Sequence, residues 1–198
     1  MRLDFERIAA AVAPNSSVLD LGCGGGDMLE YLRRARNTRG VGADIDRNNL
    51  VRCLQKGVQA VHCDIRRGLS LFDEDAFDAV VLSDTLQSVG MPPQKLLSEM
   101  LRIGKTALVS FPNFGYWRLR MQLIAAGKMP VGRALPHEWH NTENVRYCTI
   151  ADFESLCRAG NFPVRRRWFL CGAREITFRP NWRADMAIYQ LERNSGSG

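Results

Sequence analysis

Short apolar runs alternate with segments whose apolar residues recur every three or four positions, and this alternation continues through the first 111 residues. Residues 17–21, 40–45, 58–63, 77–82 and 106–111 are apolar, rich in β-branched residues and without strict polar alternation. That pattern predicts strands buried on both faces. The intervening periodic segments predict helices over 4–13, 27–36 and 47–56, with Asp4, Asp27 and Asp46 as expected N-caps and Pro14 and Gly57 as stops. A further helix opens at Pro92-Pro93 and presents Leu96, Leu97, Met100 and Leu101 on one face. Strand and helix in this order predict a doubly wound, mostly parallel α/β sheet with right-handed crossovers.

The rhythm breaks over residues 112–148. This stretch holds two of the four Trp and two of the three His, with a short helix expected over 117–126. A segment of that length inside one domain reads as a lid or binding loop. Thr149-Ile-Ala-Asp152 has the form of a capping box and starts a helix ending near Gly160. Two strands follow, 164–171 and 185–191, and residues 194–198 form a small polar tail. The expected organisation is one domain over 1–193 with an insertion at 112–148, since 198 residues suit a single core.

Apolar residues make up 45% of the chain and charged residues 24%, which argues against disorder. No run of 18 apolar residues predicts a membrane span, and the N-terminal residues lack the apolar stretch of a signal peptide. Six cysteines without a CxxC pair read as thiols in a reducing compartment, so a cytoplasmic location is expected. The net charge of +6 is uneven. Residues 1–100 hold 12 Lys/Arg and 14 Asp/Glu, and the remainder 15 and 7. A basic second half suits nucleic acid, an acidic protein or an anionic small molecule, and no nucleic-acid module accompanies it.

The densest chemical signal is Val18-Leu-Asp-Leu-Gly-Cys-Gly-Gly-Gly26, placed between a strand and a helix. Gly22, Gly24 and Gly26 permit a tight turn that a ligand approaches closely, meeting backbone N–H groups and a helix N-terminus. Asp44 ends the second strand about 20 residues later, where a carboxylate receives ribose hydroxyls. Asp64 ends the third strand, where it or its backbone neighbours face an adenine amino group. All three features lie at the C-terminal ends of strands, where ligands bind in this architecture. A dinucleotide pyrophosphate prefers GxGxxG. Here Asp27 replaces the third glycine, which favours a sulfonium nucleoside over NAD, with Asp20 a candidate partner for its ammonium.

These motifs, with Gly42-Ala-Asp44, Cys63-Asp64 and Phe77-Asp-Ala-Val80, resemble the class I S-adenosylmethionine-dependent methyltransferases. More narrowly, Asp84-Thr-Leu-Gln87, Val109-Ser-Phe-Pro-Asn-Phe-Gly115 with Trp117 and Arg120, Gly127-Lys-Met-Pro130, Leu135-Pro136 with Trp139 and Thr142, and Cys148-Thr-Ile-Ala-Asp-Phe153 resemble the MetW family of methionine biosynthesis over about residues 2–193. His137 and His140 depart from expected tyrosines, Asn141 from Asp and Glu143 from Pro. The resemblance implies a seven-stranded sheet with an antiparallel last strand. It also implies binding of S-adenosylmethionine or S-adenosylhomocysteine, and a role as partner or activator of homoserine O-acyltransferase, which makes O-succinyl- or O-acetylhomoserine. The expected nucleoside set is Asp20, Gly22, Cys23, Gly24, Gly26, Asp44, Ile45, Asp64, Ile65 and Ser83.

Should the chain transfer methyl groups to a small molecule or protein, Asp84, His137 and His140 are the candidate bases. RNA methylation is a weaker third reading. The two His lie three apart without a third ligand, so no metal is expected. Cys23 reads as a packing residue within the glycine turn, although a helix N-terminus nearby would favour its thiolate. Trp117, Arg120, Trp139 and Trp168 are the expected partner-binding residues, because Arg and Trp anchor interfaces.

Overall fold

Leu19 stands between Val41 and Val80 in register, which puts the strand leading into the glycine turn at the middle of a parallel sheet. A computed structural model describes residues 2–132 and 135–193; the predicted tail at 194–198 lies outside them. In chain order the strands are Ser17–Leu21 (β1), Arg39–Asp44 (β2), Gln59–His62 (β3), Phe77–Ser83 (β4), Gly104–Pro112 (β5), Val164–Cys171 (β6), Arg174–Glu175 (β7) and Met186–Glu192 (β8). Their spatial order is β3-β2-β1-β4-β5-β8-β6-β7. The first five are parallel, and β8 runs antiparallel between β5 and β6. The described residues thus form eight strands where seven were expected. The addition is β7, a two-residue edge that turns back on β6 through Gly172 and Ala173.

The helices are Leu3–Ala11 (α1), Asp27–Arg36 (α2), Arg47–Gln55 (α3), Pro93–Ile103 (α4), Trp117–Ala126 (α5), Ile150–Ala159 (α6) and Pro180–Arg183 (α7), with a 3-10 turn at Ile65–Arg67. One buried cluster fills the sheet face under α1, α2 and α3. Ile8, Leu32 and Cys53 pack there against Val18, Val81 and Ile188. The other face is covered by α4 and α6, whose Leu97, Met100 and Phe153 meet Val80, Val109 and Tyr189. Sheet strands buried on both faces explain the continuous apolar runs.

Local capping differs from expectation at two helices. Asp4 is buried within α1 and ion-paired to Arg2 at 2.7 Å, so it does not cap the helix. Asp27 is the first residue of α2, behind a left-handed Gly26, and pairs with Lys56. Asp46 does cap α3 by accepting from the Asn48 amide at 2.8 Å, and Thr149 with Asp152 closes a full capping box on α6. In α3 only Cys53 is buried, and Leu54 is exposed.

The segment after β5 is held by one buried amide. Asn113 donates from Nδ2 to the carbonyls of Ala184 and Asn181, and its Oδ1 accepts from the amides of Gly115 and Ile150. A Cβ at Gly115 would come within 2.6 Å of Asn181 Oδ1 and 2.9 Å of the Asn181 carbonyl, so only glycine fits beneath α7. The Ser-Phe-Pro-Asn-Phe-Gly run is therefore a knot joining β5, α6 and α7.

Candidate functional site

The glycine turn is fixed to the neighbouring strand by its own backbone. The amides of Gly22 and Cys23 both donate to the Ala43 carbonyl, at 2.7 and 3.2 Å, and the Gly24 amide donates to Asp44 Oδ2 at 2.8 Å. Asp44 Oδ1 accepts from the Asp46 amide at 2.8 Å. Gly22 has φ +71°, and a Cβ there would lie 2.5 Å from Thr85 Cγ2; beside Gly24 the space is open.

The turn and the ends of β2, β3 and β4 enclose a cavity of about 700 Å³. Of the predicted nucleoside residues, Gly22, Gly24, Asp44, Ile45, Asp64 and Ile65 line it, and so does Asp84. Asp20, Cys23, Gly26 and Ser83 stand behind the wall. The Cys23 thiol lies 3.8 Å from Cys53 Sγ, and burial pushes the pKa of both thiols up, which suits packing and not nucleophilic attack. Ser83 Oγ meets Ser110 Oγ at 3.3 Å.

Two carboxylates behave differently from expectation. Asp64 caps the 3-10 turn and receives Arg66 Nε and Nη2 at 2.9 and 3.0 Å; that hydrogen bonding lowers its pKa. Its carboxylate is thus already engaged, and Arg66 itself lines the cavity. Asp27 is neutralised by Lys56, which also donates to the Gly25 carbonyl at 2.8 Å. The charge of Asp27 beside the glycine turn is thereby offset.

Asp20 is a buried carboxyl behind the cavity wall. It is fully buried on β1, its Oδ1 has no hydrogen-bond partner, and burial followed by the nearby Asp44 charge raises its pKa from 3.8 to about 8. Asp84 has a left-handed φ of +51°, and burial raises its pKa against a 2.9 Å hydrogen bond from Gln87 Nε2. It also borders a second cavity of about 280 Å³, walled by Arg2, Asp4, Pro136, Gly172 and Asp185.

The far wall, which sequence reading missed, comes from two non-periodic stretches. Thr85, Ser88, Val89 and Gly90 follow β4, and Glu143 and Val145 belong to the excursion after α5. They are stitched together by the Gln87 carbonyl, which accepts from the amides of Val145 and Arg146, and by Ser88 Oγ with Asn144 at 3.1 Å. The only sequence signal was Asp84-Thr-Leu-Gln87 itself.

His137 and His140 are exposed and line neither cavity; His140 lies 3.5 Å from Glu138. Among the described residues no His/Cys/Asp/Glu group forms a metal-ligand set. All six cysteines are free thiols. Trp139 is 72% exposed, while Trp168 is half-buried against the cluster under α1 and α2, which removes much of its surface from any partner. Trp117 begins α5, and Arg120 stacks its guanidinium 5.3 Å from the Trp182 ring while Nε donates to the Gly115 carbonyl. No helix among the described residues is long and apolar enough to cross a membrane.

A parallel sheet completed by the antiparallel β8 and the short antiparallel edge β7, with a glycine turn after β1 and a carboxylate at the end of β2, is the fold of the S-adenosylmethionine-dependent methyltransferases of known structure. Such an enzyme from Mesorhizobium loti superposes with a TM-score of 0.72 at 18% identity, over 97% of this chain and 98% of that one. The Haloferax volcanii complex of the Trm112 methyltransferase activator with a putative methyltransferase gives 0.70 at 19% identity, over 96% and 88%. The family described as methionine biosynthesis protein MetW matches residues 2–191, and the chain belongs to it. A relative from Rhodopirellula baltica, the bifunctional methionine biosynthesis protein MetXA/MetW, is 36% identical across 98% of this chain. The chain spans about a third of that relative's length.

Proposed function

We propose that this protein binds S-adenosylmethionine or S-adenosylhomocysteine and, as a cytoplasmic partner, supports homoserine O-acyltransferase in methionine biosynthesis. The observation that carries the reading is the bifunctional relative, which unites MetXA with MetW in one chain. We read its MetXA part as the covalently linked counterpart of a separate acyltransferase here. The cavity fits an adenosyl ligand. Gly24 leaves open space at the turn, Asp44 stands at its wall, and the orphaned Asp20 oxygen lies behind it. Asp44 holds the turn and retains lone pairs for hydroxyl donors. The insertion at 112–148 serves as a lid, with Val145 on the cavity wall. Trp117, Arg120 and Trp139 supply partner contacts. Co-purification with the acyltransferase, followed by acyl-transfer assays with and without this chain, tests the proposal; unchanged activity and no association sink it.

The second cavity beside Asp84 favours an alternative, methyl transfer to a small molecule or protein. In that case Asp84, buried and raised in pKa, accepts the acceptor's proton. Release of S-adenosylhomocysteine on mixing the chain with S-adenosylmethionine and a small-molecule extract would favour it.

A further inference from the structure

Helix α5 lies on the molecule almost without partners. Of its ten residues only Leu119 is buried. Trp117, Met121 and Ile124 are 38%, 46% and 75% exposed. They recur at i, i+4 and i+7, which confines them to about 60° of arc. Arg118 flanks this stripe on one side, with its guanidinium 5.4 Å from the Trp117 ring, and Arg120 flanks it on the other. The helix is firmly based. Asn113 and Gly115 fix its entry, Gly127 at φ +61° ends it, and Gln122 accepts from the Val131 amide at 3.1 Å.

Its charge is one-sided. Between Glu99 and Glu138 the sequence holds six Lys/Arg and no Asp or Glu. Alongside α5, Arg120, Arg179 and Trp182 border an open cleft of about 800 Å³ whose one carboxylate, Glu154, is taken up by Arg167 at 2.8 Å. A preformed helix with an apolar stripe between two arginines matches a groove with an apolar floor and acidic rims. A second copy of α5 brings the same arginines and no acid. A membrane surface calls for a longer apolar face and more cations than ten residues with two arginines supply.

We infer that α5 is an anchor helix that docks through Trp117, Met121 and Ile124 into an apolar groove of a partner protein, with Arg118 and Arg120 meeting carboxylates on its rims. This rests on the partner reading above, taking the acyltransferase as that protein.

The test titrates purified homoserine O-acyltransferase of the source organism into this chain and its variants by calorimetry, with S-adenosylhomocysteine binding as the check on folding. Met121→Asp with Ile124→Asp should weaken association about 100-fold, and Arg118→Glu about 10-fold. Leu123→Ser, off the stripe, should change it less than about 3-fold. Association of the double variant within about 3-fold of the wild type overturns the helix assignment while leaving the partnership standing. No association by the wild type at about 100 μM removes the partnership itself, and with it this inference. Two further results also overturn it: sedimentation of the chain with phosphatidylglycerol vesicles that depends on Ile124, or self-association that the double variant abolishes.

Discussion

The Gly24 amide and the Asp44 carboxylate, 2.8 Å apart, lock the glycine turn to the end of β2. Asp44 also receives the Asp46 amide and lies on the cavity wall, so it is scaffold and, in the proposed nucleoside reading, ligand contact as well. Asp44→Ala should weaken S-adenosylhomocysteine binding by about 2–3 kcal/mol, roughly 30- to 150-fold. It should also cost about 1–3 kcal/mol of stability, because two backbone donors lose their acceptor. Calorimetry and urea denaturation separate the two effects. Unaltered affinity would take Asp44 out of the binding site.

Asp20 makes the stability of the ligand-free protein depend on pH. The native state keeps this proton up to about 8, whereas the unfolded chain releases it near 3.8. The folded state therefore binds more protons between those values, and stability falls as pH rises through that window, by up to about 1.4 kcal/mol per unit from this group. Urea midpoints at pH 5 and pH 8 should differ in that sense, and Asp20→Asn should flatten the difference. A wild-type midpoint that rises towards pH 8 and is indifferent to Asp20→Asn contradicts the assignment.

Asn113 satisfies two amides and two carbonyls from a fully buried position. Asn113→Ala leaves all four without that partner and should destabilise the fold by about 3–5 kcal/mol. A loss below about 1 kcal/mol in denaturant titration would show that water replaces the amide.

His137 and His140 lie outside both cavities. Replacing both by Ala should leave S-adenosylhomocysteine affinity within about 2-fold and any methyl release unchanged. A drop in turnover with preserved binding would restore a base role to one of them.

The central sheet was legible because strands such as Val80-Val81-Leu82 are apolar on both faces and helices such as α4 carry a clean stripe. The short pieces were not. Arg174 and Glu175 form β7 through hairpin geometry with no apolar signature, and Pro180–Arg183 is a single turn of helix. The site divides likewise. Glycines and Asp44 announce themselves by spacing, but Ser88, Val89 and Val145 reach the cavity through tertiary bonds to the Gln87 carbonyl. Asp27 was expected as an N-cap but is the first residue of α2, and its counter-charge, Lys56, comes from the end of a different helix, beyond the reach of local patterning.

The Phe114 amide donates to the Cys148 carbonyl at 3.1 Å, and the Phe114 and Tyr147 rings meet at 5.1 Å. The chain thus leaves β5 and returns to enter α6 through a single doorway. Whatever lies between those residues is a cassette: it can be lengthened, exchanged or trimmed in descent without reregistering any strand. Surface specificity can therefore evolve on a different clock from the cavity beside the glycine turn, except where Glu143 and Val145 tie the two together.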